Sequence, residues 1–294
     1  MNKIVVIADS NSSITQADAT KLGIHVLPMP FFVDEKLYFE DIDLTQDGFY
    51  EKLKSGSDVS TSQPSPANLV ELWDDLLKDY DEIVHIPMSS GLSASCETAT
   101  GLAQEYDGKV QVINNQRIAT TQKSSALDAL DLIKAGKNAK EIKEILENEK
   151  LESSIYIMVD TLEYLKKGGR ITPAAALIGT VLKLKPVLQI QGAKLDAFAK
   201  ARSQKLAKKI MLDAMKNDFE TRFSDAVAKG NMRLGVCHSA NEEEAQIFAK
   251  EIAQAFPSIE IEIAPLPLSI SCHIGPGSLA ITSAKKVDIA SLRA

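Results

Sequence analysis

The stretch DEIVHIPMSSGLSAS (81–95) decides the fold. Ile83, Val84 and Ile86 form a short apolar run bounded by polar residues, the pattern of a buried strand over 81–89. Ser89-Ser90-Gly91-Leu92-Ser93 follows, rich in hydroxyls and with a glycine suited to a turn. Helical patterning then runs from about 93 to 105. Strand, short polar turn and helix together make half of a βαβ crossover.

The same alternation extends on both sides. KIVVIADS (3–10), GIHVLPMPFFV (23–33) and KVQVIN (109–114) read as further strands. Residues 44–54, 66–79, 120–134 and 138–149 carry helical patterns, and Pro66 sits at a favoured first helical position. Strands separated by helices of this length predict a mostly parallel sheet. The second half changes style. SSIYIMVD (153–160) is a strand, and EYLKKGGRI (163–171) is a basic segment. VLKLKPVLQI (181–190) and KLDAFAK (194–200) flank Gln191-Gly192-Ala193 as hairpin arms. A long polar helix (202–228), the strand MRLGVCH (232–238), a helix (241–255) and the strand IEIEIA (259–264) complete the pattern. The expectation is a two-domain α/β protein. A Rossmann-like parallel-sheet domain covers 1–150 and a mixed-sheet α/β domain covers 151–294, with the last segment able to pack back on the first domain.

Bulk properties narrow the function classes. A chain of 294 residues with 45% hydrophobic and 25% charged residues buries a full core without metal or disulfide staples. Cys96, Cys237 and Cys272 are odd in number and widely spaced, which fits a reducing compartment and no structural zinc. MNKIVVIADS has too short an apolar run for a signal peptide, and no stretch approaches a membrane span, so a soluble cytoplasmic protein is expected. The net charge of −7 argues against nucleic acid as a partner. That charge is unevenly placed. Residues 161–210 hold eleven Lys and Arg against two acids, a local +9 that leaves −16 for the rest.

Three readings compete for the chemistry. GPGSLA (275–280) loosely fits a dinucleotide loop, but Pro276 interrupts it and seventeen residues cannot complete the βαβ unit. No G-x-x-x-x-G-K-[ST] loop occurs. GLSAS (91–95) nearly matches a nucleophile elbow. Ser93 would be the nucleophile, His273 the base and Asp9 the orienting acid of a serine hydrolase, although Ser95 replaces the final glycine. The third reading starts from three hydroxyl-rich segments placed after strands: DSNSS (9–13), STSQPSP (60–66) and SSGLSAS (89–95). Hydroxyls and free backbone N–H groups beyond the carboxyl ends of parallel strands suit an anion. These segments hold no Lys or Arg, so one carboxylate fits better than a polyphosphate. Taken singly, Ser65 and Ser93 are also ordinary helix caps. His25, His85 and His238 read as strand or core residues, Cys272 as packing, and no His/Asp spacing suggests a metal.

Five segments in order, ADSNSS (8–13), TSQPSP (61–66), SSGLSAS (89–95), LKKGGRI (165–171) and HIGPGS (273–278), extend over the chain. With these the sequence resembles the DegV family of bacterial fatty-acid-binding proteins. The resemblance implies a two-domain α/β protein holding a long-chain fatty acid between its domains. Such a protein has no catalysis or cofactor of its own and supplies the acyl chain to a separate fatty acid kinase, which makes an acyl-phosphate. It implies that Thr61 and Ser93 hold the carboxylate with His273 beside them. Ser62, Gly91, Ser95 and Gly275 are further ligand-site candidates in the same segments. Arg170 and Arg202 match positions implicated in docking or phosphoryl transfer. The chain departs from the family pattern at Ala94-Ser95, Cys272 and Ser278, which bears on pocket shape. ITPAAALIGTVL (171–182) is a candidate tunnel lining, and the basic region could steer an acidic partner or touch an anionic membrane transiently. A monomer is expected.

Overall fold

In the computed structural model of the protein, residues 2–171 and 184–293 are described. The first half contributes β1 (Ile4–Asp9), β2 (Ile24–Leu27), β3 (Pro30–Val33), β4 (Lys36–Phe39), β5 (Val59–Thr61), β6 (Glu82–Ile86) and β7 (Val110–Val112). The second half contributes β8 (Ser153–Met158), β9 (Lys185–Ile190), β10 (Leu195–Ala201), β11 (Met232–His238), β12 (Ile261–Pro265) and β13 (Leu279–Lys285).

The strand that decides the fold is β6. It lies beside β1 in a four-stranded, wholly parallel sheet ordered β2-β1-β6-β7. Both faces of this sheet are covered, which is why its strands read as continuous apolar runs. Val5 and Ile7 pack with Trp73, Leu69 and Cys96 on one side. Val6 and Ala8 pack with Ala126, Leu132 and Ile142 on the other. The covering helices are Pro66–Leu76, Ser95–Ala103, Ala119–Lys134 and Ala139–Asn148. Ser65 caps the first of these, its Oγ accepting from Asn68 N at 3.1 Å.

The second sheet is six-stranded and mixed, ordered β10-β9-β8-β13-β11-β12. All its neighbours are antiparallel except β11 with β12. Alternation along β8 separates two faces. Tyr156 and Met158 point toward the helices Gln204–Glu220 and Glu242–Ala255. Ile155 and Ile157 join a second cluster with Met29, Met88 and Ile118 from the first half. The inner face of the mixed sheet is therefore turned toward the parallel-sheet half. Beyond β13, Val287 and Ile289 pack against the parallel-sheet core.

Three local expectations change. Residues 23–33 are two strands, because Pro28 and Pro30 cannot donate to a ladder and break the run. β3 leaves the parallel sheet and forms a small antiparallel sheet, β4-β3-β5. The segment 60–66 accordingly follows an antiparallel strand, and Thr61 is the last residue of β5. The polar helix of 202–228 is two helices, Gln204–Glu220 and Ser224–Ala228, interrupted where Phe223 turns into the core.

Candidate functional site

A cavity of about 270 Å³ lies between the carboxyl-end loops of the first half and the inner face of the mixed sheet. This is just below the usual range of about 300–1,000 Å³ for small-molecule sites. Its body is apolar: Ile155 and Ile157 on β8, Ile190 on β9, Leu195 on β10, Ala280 on β13, with Leu165 and Ile118. Its polar end gathers Thr61, Ser62, Gln63, Ser93, His273 and Arg170. A carboxylate with an aliphatic tail has that division of surface.

His273 lies in the last turn of a short helix, Leu268–Ile274, which ends at Gly275. Glu40 caps that helix from another element, its Oε2 accepting from Leu268 N at 2.8 Å while Gln46 holds Oε1 at 2.6 Å. Burial pushes the Glu40 carboxyl up to about 7. Cys272, the residue before the histidine, packs with Phe31 and Phe49.

Among the described residues the His273 ring is held at one nitrogen only. Nε2 and Thr61 Oγ1 are 2.8 Å apart. Nδ1 is buried without a hydrogen-bond partner among the described residues, and a Cβ on Gly168 would collide with it. Burial, with the Arg170 charge adding, pushes the imidazole down to about 4, so the ring is neutral near pH 7. Ser93 Oγ accepts from Ser95 N at 3.2 Å, which leaves its proton available. Arg170 is exposed at the polar end, with Nη1 donating to Gly168 O at 2.6 Å.

The hydrolase alternative fails on Asp9. Its carboxylate accepts from Met88 N at 2.7 Å, Gln122 Nε2 at 3.0 Å and Asn11 N at 3.1 Å, and burial pushes it up to about 6. It ties the ends of β1 and β6 together and makes no bond to His273. Among the described residues no hydrogen bond joins Ser93 to His273 either, since Nε2 is engaged by Thr61. No Ser–His–Asp relay is built.

The other predicted positions divide. Ser62 lines the cavity. Gly91 does not, and a Cβ there would strike Ala193 O in the β9–β10 hairpin, to which Ser89 Oγ also donates at 2.7 Å. Ser95 begins the helix Ser95–Ala103, away from the cavity wall. Gly275 lies against the Tyr164 ring at φ 69°, a close approach that excludes a side chain. Arg202 is exposed just after β10, outside the cavity lining. Of the candidate tunnel segment only Ile171 is described, packed against the inner-face cluster, and 172–182 lie outside the described residues.

Residues that sequence reasoning did not single out also line the cavity, among them Asn11, Ser269, Met29, Cys237 and Thr282. Asn11 accepts from Ser269 Oγ and donates to Met88 Sδ at 2.9 Å, which links the first loop to the His273 helix. Its sequence signal is its place within the hydroxyl-rich segment DSNSS (9–13). Ala119, with φ 53°, is a strained non-glycine residue at the cavity wall. Among the described residues no cluster of His, Cys, Asp and Glu could hold a metal, and no helix is long and apolar enough to cross a membrane.

Comparison with known proteins agrees with this architecture. Residues 3–286 match the family model described as an uncharacterised protein of the DegV family. Protein DegV of Bacillus subtilis is 33% identical over 282 residues, covering 95% of this chain and 98% of that protein. The crystal structure of B. subtilis DegV, a fatty acid binding protein, superposes with a TM-score of 0.84 at 32% identity, over 97% of this chain and 100% of that one. A DegV family protein from Thermus thermophilus, described for its fatty acid binding, superposes with a TM-score of 0.86 at 28% identity, over 96% and 99%.

Proposed function

This chain belongs to the DegV family, and on that premise we propose that it holds a long-chain fatty acid in the cavity and presents the carboxylate to a separate fatty acid kinase. The observation that carries the proposal is the division of one cavity into a hydroxyl end and an apolar body. Each buried methylene contributes about 0.8 kcal/mol, so a long acyl chain supplies most of the affinity. The hydroxyl end needs only to orient the head.

The geometry supports a specific arrangement. With Nε2–H of His273 donating to Thr61 Oγ1, the Thr61 hydroxyl proton is free to donate to a carboxylate. The opposite tautomer would consume it. Ser93 offers a second donor, and neutral His273 adds no full positive charge. Hydroxyl donors leave more electron density on the carboxylate oxygens than a bidentate guanidinium would. That suits a ligand whose oxygen must attack a phosphoryl group. In this reading the protein is a non-catalytic, monomeric carrier with the lipid as its only bound molecule.

Arg170 and Arg202 belong to the basic region 161–210 and take the docking role, steering an acidic kinase face or stabilising the transferring phosphoryl group. The same surface would touch an anionic membrane transiently during lipid exchange. Comparing native with denatured mass spectra of purified protein tests the first half of the reading. A mass excess of one fatty acid is expected, and protein without any acyl ligand overturns it. An Arg170→Ala/Arg202→Ala variant tests the second. It should keep its lipid and lose acyl-phosphate production with the kinase. Undiminished production would remove the arginines from that role.

A further inference from the structure

We propose that Thr282, braced by Thr120, is the stop that ends the acyl cavity and sets the chain length the protein accepts. This rests on the fatty-acid reading above and goes beyond it to a specificity-determining residue.

Strand register locates the stop. Leu195, Ile190, Ile155, Thr282 and Gly235 are successive partners across β10, β9, β8, β13 and β11, and so form one row across the inner face. The first four line the cavity. The neighbouring row, with Ile157, Ala280 and Cys237, begins two residues earlier on β13, nearer the helix that carries His273. Along β13, Thr282 is therefore about 7 Å farther than Ala280 from the helix that carries His273.

Along that far row three residues are aliphatic and one is a hydroxyl. Thr282 Oγ1 and Thr120 Oγ1 are 2.7 Å apart, with the two residues 2% and 5% exposed. Thr120 Oγ1 also contacts Cys237 Sγ at 3.6 Å. Gly235 leaves the room this pair occupies, since a Cβ there would stand 2.9 Å from Thr282 Oγ1. Behind the pair is a second small void of about 10 Å³, lined by Thr282, Thr120, Ser124, Arg233 and Ser283. Thr282 thus borders two spaces, the acyl cavity on one side and a polar void on the other. Because the two hydroxyls are bonded to each other, a terminal methyl arriving at this wall strips no partner from a buried donor.

The test offers purified protein an equimolar mixture of saturated fatty acids of graded length and reads the retained acids by mass spectrometry. Thr282→Ser keeps the hydrogen bond, loses one methyl and should shift the retained distribution upward by about one methylene. Thr282→Ala removes two heavy atoms and should shift it by roughly two. Thr282→Leu should shift it downward, and the isosteric Thr282→Val should leave it in place. The Ser and Val variants guard against misfolding of the other two, and thermal melts of all four accompany the measurement. A distribution that ignores the Ser and Ala substitutions, or a Val variant that shifts as far as Ala, overturns the proposal. Wild-type protein that retains no fatty acid is a different result, and it overturns the functional reading itself.

Discussion

The two ends of the cavity carry the same chemistry and use it in opposite ways. At the polar end Thr61 Oγ1 is bonded to His273 Nε2 at 2.8 Å, Ser93 keeps its proton, and exposed Arg170 lies alongside. At the far end Thr120 and Thr282, both buried, face each other at 2.7 Å. In the proposed reading, a hydroxyl with a spare donor at an opening serves the ligand. A hydroxyl pair closed on itself is a wall. Residue type alone does not separate the two, and hydrogen-bond accounting does.

The largest test of that distinction removes the polar-end donors. Thr61→Val/Ser93→Ala keeps the shape of the site and deletes two hydrogen bonds to a charged group, each worth about 1.5–3 kcal/mol. Fatty acid affinity should fall on the order of 100-fold or more by titration, while stability falls by only about 1 kcal/mol because His273 Nε2 loses its Thr61 partner. Affinity within a few-fold of wild type would mean that the apolar body alone determines binding and that the two ends are not distinct.

How far the sequence revealed these two ends follows from the distance over which each signal acts. The parallel sheet was legible because β1 and β6 are buried on both faces and show as continuous apolar runs. His273 and Thr61 were legible only as fragments. They are 212 residues apart, and only folding shows that a short helix meets the end of β5. The small sheet β4-β3-β5 is not legible in the sequence, because GIHVLPMPFFV is apolar almost throughout and only Pro28 and Pro30 mark the break between sheets. The tail wall was illegible altogether. Thr120 and Thr282 are 162 residues apart in segments without any motif, and their pairing depends on the register of β13 against β8 and β11.

A smaller effect comes from pH. The His273 imidazole is pushed from 6.5 down to about 4 in the folded protein, so the unfolded chain takes up the proton first. Its contribution to stability is fully present above about 6.5 and is lost as pH falls toward 4, by about 1.4 kcal/mol per pH unit at most. His85, pushed down to about 3 by burial, acts in the same direction. His273→Gln should therefore reduce the acid slope of stability without abolishing it, as read from urea midpoints between pH 7 and about 4. Loading with fatty acid should also reduce the slope in the wild type, because a carboxylate beside the ring favours its protonated form. An identical slope with and without ligand would place the head group away from His273.

The smallest expected effect is at the far end, and it completes the contrast. Thr120→Val keeps the branched shape, deletes the hydroxyl and leaves Thr282 Oγ1 without its 2.7 Å partner in a buried position. The cost should appear as stability, about 1 kcal/mol from a denaturant midpoint, because a buried polar group loses its bond. Fatty acid affinity should change by less than about twofold, since a wall residue that keeps its volume still meets the acyl tail in the same place. The two ends then differ in the quantity each hydroxyl controls: affinity at the opening and folding stability at the wall. An affinity loss here as large as that of the Thr61/Ser93 pair would make Thr120 a ligand contact, and the cavity would have two polar ends instead of one.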